Sequence, residues 1–214
     1  MEALILYLIL FLPSFGSIQV VQEITVEFIA FSAIWELNRL ITYTLPALAL
    51  LWYIILGKNS LSSIKSENLQ GKDLIPFAIG LPGLMTIAII ISFSISFFSR
   101  QYGMSSPPVI LAPSNLGGWL VMIVACLGTG YLEETYFRYY LLTRLENYNL
   151  PSKVILSTLL FTFCHIHDGP WGLLNAFLAG ILLSLLFLRY KSLHGIALAH
   201  GFYNIFVYTI GIFL

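Results

Sequence analysis

The sequence predicts an all-α fold: a polytopic membrane helix bundle with seven or eight transmembrane helices. Three observations carry this. Of 214 residues, 58% are hydrophobic and only 9% are charged, against about 25% charged in an ordinary soluble domain. Several apolar stretches reach the roughly 20 residues that a helix needs to cross a bilayer. Polar or Pro-, Gly- and Ser-rich connections separate those stretches. Lys+Arg and Asp+Glu number ten each, so the chain offers no basic face for nucleic acid, and the expected partner is the lipid bilayer. Cys126 and Cys164 both lie in apolar runs and read as small buried residues, not as a disulfide framework or a zinc knuckle.

The elements follow in order. The first apolar segment, about 3–20, begins MEALILYLILFL without a positive amino-terminal region. It is expected to be a retained helix, interrupted by Pro13 and Gly16. Residues 22–39 carry Glu23, Glu27, Glu36 and Arg39 among apolar residues. They read as an interfacial helix or as a loose extension of the first segment, hence seven or eight. Further apolar segments follow at about 40–57, 74–98, 118–138, 152–167, 171–188 and 193–213. Between them, 57–73 is polar and 100–118 is rich in Pro, Ser and Gly. NYNLPS at 147–152 ends one helix and starts the next, with Pro151 at a first-turn position. No repeat and no second domain is visible, so one integral membrane domain over 1–214 is expected.

Lys and Arg give the orientation. With 58–73, 139–153 and 189–192 on the cytoplasmic side, that side holds Lys58, Lys65, Lys72, Arg144, Lys153, Arg189 and Lys191, and the other keeps only Arg39 and Arg100. Seven spans then leave the amino terminus inside and the carboxyl terminus outside.

Ionisable groups within membrane segments cost roughly 2.5–3.5 kcal/mol each on insertion scales and need a reason. Glu134 and Arg138 are four apart with the acid first, the favourable spacing for an intrahelical ion pair. Glu133 sits about 100° round the helix and is left over. An interfacial charge cluster explains Glu134 and Arg138 but not Glu133. The fourth and fifth segments form a hairpin with its tip near Asn149, sixteen residues after Glu133 and sixteen before His165. Antiparallel helices of equal rise bring both to the same depth. A lone apolar-face histidine is more often a packed core residue, but one level with a spare carboxylate points to function. His200 and Asn204, also four apart, share one face of the last segment, and both can donate to a single acceptor. Bonding across helices is the bland reading of that pair. Gly201 leaves room there for close approach of another helix. His167 and His194 read as interfacial bystanders, Asp168, Gly169 and Pro170 as a turn, and Ala176, Gly180 and Ser184 as a packing stripe.

Together EETYFR at 133–138, FTFCH at 161–165 and HGFYN at 200–204 resemble the CAAX protease and bacteriocin-processing family of intramembrane proteases, over roughly 74–214. The resemblance implies a glutamic-type endopeptidase without cofactor. Glu133 with His165 would activate water, His200 and Asn204 would stabilise the oxyanion, and Glu134 with Arg138 would support the site. It also implies a peptide or protein substrate near the membrane, lipidated in the eukaryotic relatives, and a prokaryotic cell-membrane setting. The positive loops, His200 about 10–15 Å inside its helix counted from Arg189–Lys191, and the polar hairpin tip with Arg144, Glu146 and Lys153 predict a water-filled cavity that opens toward the hairpin tip and the cytoplasm. Two alternatives stay open: a zinc protease with Glu133, His165 and His200 as ligands, and a non-enzymatic transporter or immunity protein.

Overall fold

Local capping chemistry sets most helix starts. The Asn149 side chain accepts from Ser152 N at 2.9 Å, with Pro151 in the first turn, where a proline loses no helical hydrogen bond. Asn115 does the same for Gly118 N at 2.9 Å, and Ser32 for Trp35 N at 3.3 Å. The computed structural model describes residues 2–16, 28–57, 70–102 and 109–210. Among these are seven continuous helices: α1 Glu2–Gly16, α2 Ala33–Leu56, α3 Gly71–Tyr102, α4 Leu116–Arg144, α5 Leu150–Cys164, α6 Ile166–Tyr190 and α7 Leu193–Ile210. They correspond one to one with the seven apolar segments. Helices α2, α3, α4 and α6 are long and apolar enough to cross a membrane, while α1 and α5 are apolar but shorter.

Three boundaries differ from the sequence expectation. Residues 33–39 are neither an interfacial helix nor an extension of α1; they are the first turns of α2. Glu36 and Arg39 tolerate that position because they pair with each other at 2.7 Å. Residues 17–27, with Glu23 and Glu27, lie outside the described residues. Helix α4 runs on past 138 to Arg144, and its helical turn widens at Thr135–Leu141 into a π-helix. Finally, Phe28–Ala30 and Val109–Leu111 form two short parallel strands, β1 and β2, with Ile29 opposite Ile110; the second falls within the stretch read as a plain connection.

The helices alternate in direction. Tyr140 Oη donates to Glu2 Oε1 at 3.1 Å and Tyr136 Oη to the Ala3 carbonyl at 2.7 Å, so α1 starts beside the end of α4. Trp52 and Tyr139, 5.8 Å apart, bring the end of α2 to the same level. Ser192 Oγ donates to Asp73, joining the starts of α3 and α7. One end of the bundle, the basic end, therefore gathers Lys72, Arg144, Lys153, Arg189 and Lys191. The far end gathers the starts of α2, α4 and α6 and the ends of α5 and α7.

Lipid is as apolar as a leucine side chain, so close packing and polar contacts hold membrane helices together. The tightest crossing joins α4 to α7. A β-carbon on Gly130 would fall 2.8 Å from Gly201 N and 2.9 Å from Ala197 O. Only glycine lets these two backbones touch, as expected for Gly201. Ala176, Gly180 and Ser184 are buried, and a β-carbon on Gly180 would meet Thr158 at 3.0 Å, so Gly180 packs α6 against α5, while Ala176 also lines a cavity. All seven residues of the π stretch are buried. Its Phe137 ring stacks among Phe11 at 4.9 Å and Phe161 at 5.2 Å.

Candidate active site

The Gly130–Gly201 crossing seats the fourth-helix acids beside the seventh helix. Glu134 is fully buried, and its Oε1 accepts from Arg138 at 2.9 Å and from His200 Nδ1 at 2.8 Å. Arg138, also fully buried, sends a second bond to the Gly180 carbonyl at 3.3 Å. Its guanidinium lies 4.4 Å from the centroid of the Phe161 ring, a desolvated cation–π contact of the kind that contributes about 2 kcal/mol. The expected ion pair is present. The His200 bond to the same carboxylate was not foreseen, because spacing within a helix says nothing of contacts between helices.

Glu133 is in a different situation. Its side chain is 16% exposed and accepts no hydrogen bond among the described residues. Its Oε2 lies 3.7 Å from His200 Nε2, outside hydrogen-bond range. Glu133, His165, His200 and Asn204 all line one cavity of about 770 Å³. The site residues named by sequence thus divide: four face the cavity, while Glu134 and Arg138 stand behind it.

Hydrogen-bond chemistry fixes the ring tautomers. His165 ends α5, and its Nδ1 lies 2.9 Å from the Phe161 carbonyl. A carbonyl only accepts, so Nδ1 carries the proton, and a neutral ring keeps its lone pair on Nε2. By the same logic His200 donates Nδ1–H to Glu134. Its Nε2 is then an acceptor in the neutral ring and a donor only in the imidazolium. Asn204 makes no hydrogen bond among the described residues, leaving both ends of its amide open to the cavity.

The zinc alternative needs Glu133, His165 and His200 gathered on one point. Among the described residues no three His, Cys, Asp or Glu side chains lie close enough to hold a metal ion. Both histidines turn Nδ1 to protein acceptors, a disposition that a metal-ligating histidine also adopts.

Other residues join the wall. His167 and Asp168, read as bystander and turn, both line the cavity. The reason is that α5 ends at Cys164, and the 3₁₀ turn over Ile166–Asp168 that begins α6 places them in the lining. His194 stays apart, bonded to Tyr131 Oη at 3.0 Å. Sequence reading missed Asn175, which accepts from Tyr203 Oη at 3.1 Å, and the Glu36–Arg39 pair as part of this wall. The charged pair in an apolar stretch was the available signal.

The wall runs from Phe161, Glu133 and His200 toward Trp35, His167, Gly172 and Tyr208. Those last four residues belong to the far end of the bundle. The lining therefore extends to the far end of the bundle, not to the hairpin tip and Lys191 toward which the cavity was expected to open.

Residues 115–206 match the family model described as type II CAAX prenyl endopeptidase Rce1-like. The resemblance to the CAAX protease family therefore holds over α4 to α7, the four helices that supply both acids, both histidines and Asn204. Comparison with curated proteins and with solved structures finds no match. The family match over α4 to α7 and the four helices long and apolar enough to cross a membrane both support an integral membrane protein.

Proposed function

We propose that the chain is an intramembrane endopeptidase of glutamic type. The observation that carries the reading is the division between two adjacent acids: Glu134 is fully buried with its Oε1 bonded to both Arg138 and His200, and Glu133 faces the cavity with no hydrogen bond among the described residues. A general base must present a free lone pair to water. Glu133 does so, with the Nε2 lone pair of His165 as the second acceptor. Water loses a proton to Glu133 and adds to the scissile carbonyl. The Asn204 amide N–H and the Nε2–H of the His200 imidazolium hold the oxyanion. Protonated Glu133 then gives its proton to the leaving amine as the C–N bond breaks. Glu134 and Arg138 orient His200 and touch no substrate.

The family match supports CAAX-type proteolysis. The Lys/Arg bias supports a cytoplasmic basic end, and hence a cavity reached from the non-cytoplasmic side. On that orientation the substrate is a membrane-anchored peptide presented at the outer half of the bilayer, not a cytosolic lipidated protein.

The test is cleavage by the purified protein in detergent of candidate membrane peptides, with new termini mapped by mass spectrometry. Cleavage that survives a chelator and is lost in Glu133→Gln supports the reading. Chelator-sensitive cleavage replaces it with the metalloprotease, and full activity of Glu133→Gln removes it.

A further inference from the structure

Resting on the protease reading, we propose that Asn175 donates an amide N–H to a main-chain carbonyl of the substrate, and that Tyr203 fixes the amide for that contact. Asn175 is carried by α6 and Tyr203 by α7, and both line the cavity. Asn175 stands outside the three stretches on which the family resemblance rests.

The bond between the two has a direction. Tyr203 is 4% exposed, and its hydroxyl lies 3.1 Å from Asn175 Oδ1. Among the described residues that hydroxyl has no other hydrogen-bond partner. A buried O–H without an acceptor is costly, so Tyr203 donates and the amide oxygen accepts. The amide is then held one way round. Its Nδ2 keeps both N–H groups, with no acceptor among the described residues.

Satisfying the tyrosine would explain the bond but not the choice of partner. Three other tyrosines of the bundle, Tyr7, Tyr43 and Tyr136, donate to the carbonyls of Leu160, Leu10 and Ala3. A carbonyl takes such a bond on its second lone pair and adds no polar hydrogen to the helix. Asn175 adds two, in a helix long and apolar enough to cross a membrane, where unmatched polar groups are expensive. The cavity that Asn175 lines is where their partner enters.

The chemistry of Nδ2 names that partner. It donates and carries no charge, so it recognises the acceptor that every peptide has, the main-chain carbonyl. The oxyanion is served by Asn204 and His200 from α7, whereas Asn175 approaches from α6. Gly180, whose carbonyl meets Arg138, marks on α6 the level of the Glu134–Arg138–His200 layer. Asn175 precedes it by five residues, about 7.5 Å nearer the far end. An extended peptide advances about 3.3 Å per residue. The carbonyl at Asn175 is then about two residues from the scissile one.

The probe is a peptide of about ten residues with capped ends and a varied sequence of Val, Ile and Phe, so that it stays extended. In companion peptides a single backbone ester, whose carbonyl is a weaker acceptor, replaces each amide in turn. Binding to full-length Glu133→Gln in detergent is measured without turnover, and cleavage by the unmodified protein is followed by mass spectrometry. Two ester positions, one of them the scissile carbonyl, should weaken binding about two- to tenfold, as for one neutral hydrogen bond. In Glu133→Gln/Asn175→Ala the second position should lose its effect, and in Glu133→Gln/Tyr203→Phe most of it. A purely structural Asn175–Tyr203 pair would leave the ester pattern unchanged, and that result overturns the proposal. Should the double variants fail to fold, ester sensitivity confined to one position on the Asn175-containing protein overturns it as well. No binding to Glu133→Gln does the same, since main-chain recognition asks for no particular side chain. Asn175-dependent binding without cleavage by the unmodified protein sinks the protease reading and leaves this contact standing; cleavage without Asn175 dependence does the reverse.

Discussion

At the scale of residues, two neighbouring acids are expected to fail differently. Glu133→Gln keeps the shape but loses the base. Cleavage should fall by about 10²–10⁴-fold, with an unchanged melting temperature in detergent. Glu134→Gln strips a fully buried Arg138 of its partner and should destabilise the fold by about 3–5 kcal/mol, read by thermal unfolding. Asn204→Ala should lower kcat by about 10²–10³, the loss typical of one oxyanion donor, measured on a peptide that the unmodified protein cleaves. The opposite pattern for the two acids, with Glu134→Gln inactive and well folded, would reverse their roles. Their division was legible beforehand because four-residue spacing within one helix is a fixed geometry. The His200–Glu134 bond was not, since it depends on how α4 and α7 cross. Arg39 escaped notice as a cavity residue for a related reason: its partner Thr129 lies 90 positions away on another helix.

At the scale of elements, the crossing of α4 and α7 is governed by two glycines. Gly130→Ala would drive a methyl into the backbone of α7 at 2.8–2.9 Å. The helices must separate, with an expected loss of about 1–3 kcal/mol and a drop in cleavage, since Glu133 and His200 separate with them. A thermal melt and an activity assay on the same sample check both; normal stability of the Gly130→Ala variant would show that the backbones can yield. The seven helices were legible as apolar runs bounded by turn residues. The π stretch was not. Tyr136, Phe137, Tyr139 and Tyr140 are all buried, so the helix is apolar on every side, and no 3.6-residue pattern exists from which a change of pitch can be read. π-Helical turns recur at functional sites, and this one begins on the residue after Glu134.

At the scale of the whole molecule, orientation is the open test. With Cys126 and Cys164 replaced, a cysteine at Asn147 should be shielded from an impermeant thiol reagent in intact cells, and one at Ser114 should react. The reverse result would turn the cavity toward the cytoplasm and restore cytosolic lipidated proteins as substrates. Direction within the bundle was legible from Lys and Arg; the side on which the cavity lies was not, because free volume is a property of packing. The same packing bears on how the chain is made. Tyr7 Oη donates to the Leu160 carbonyl, and Ala3 and Glu2 accept from Tyr136 and Tyr140, across separations of 153, 133 and 138 residues. Synthesis proceeds from the amino terminus, so α1 is made well before its polar partners. Until α4 and α5 are inserted, α1 lacks these three contacts. It is an early-inserted, late-docked helix, and through that interval the nascent protein is exposed to the insertion and quality-control machinery of its host membrane.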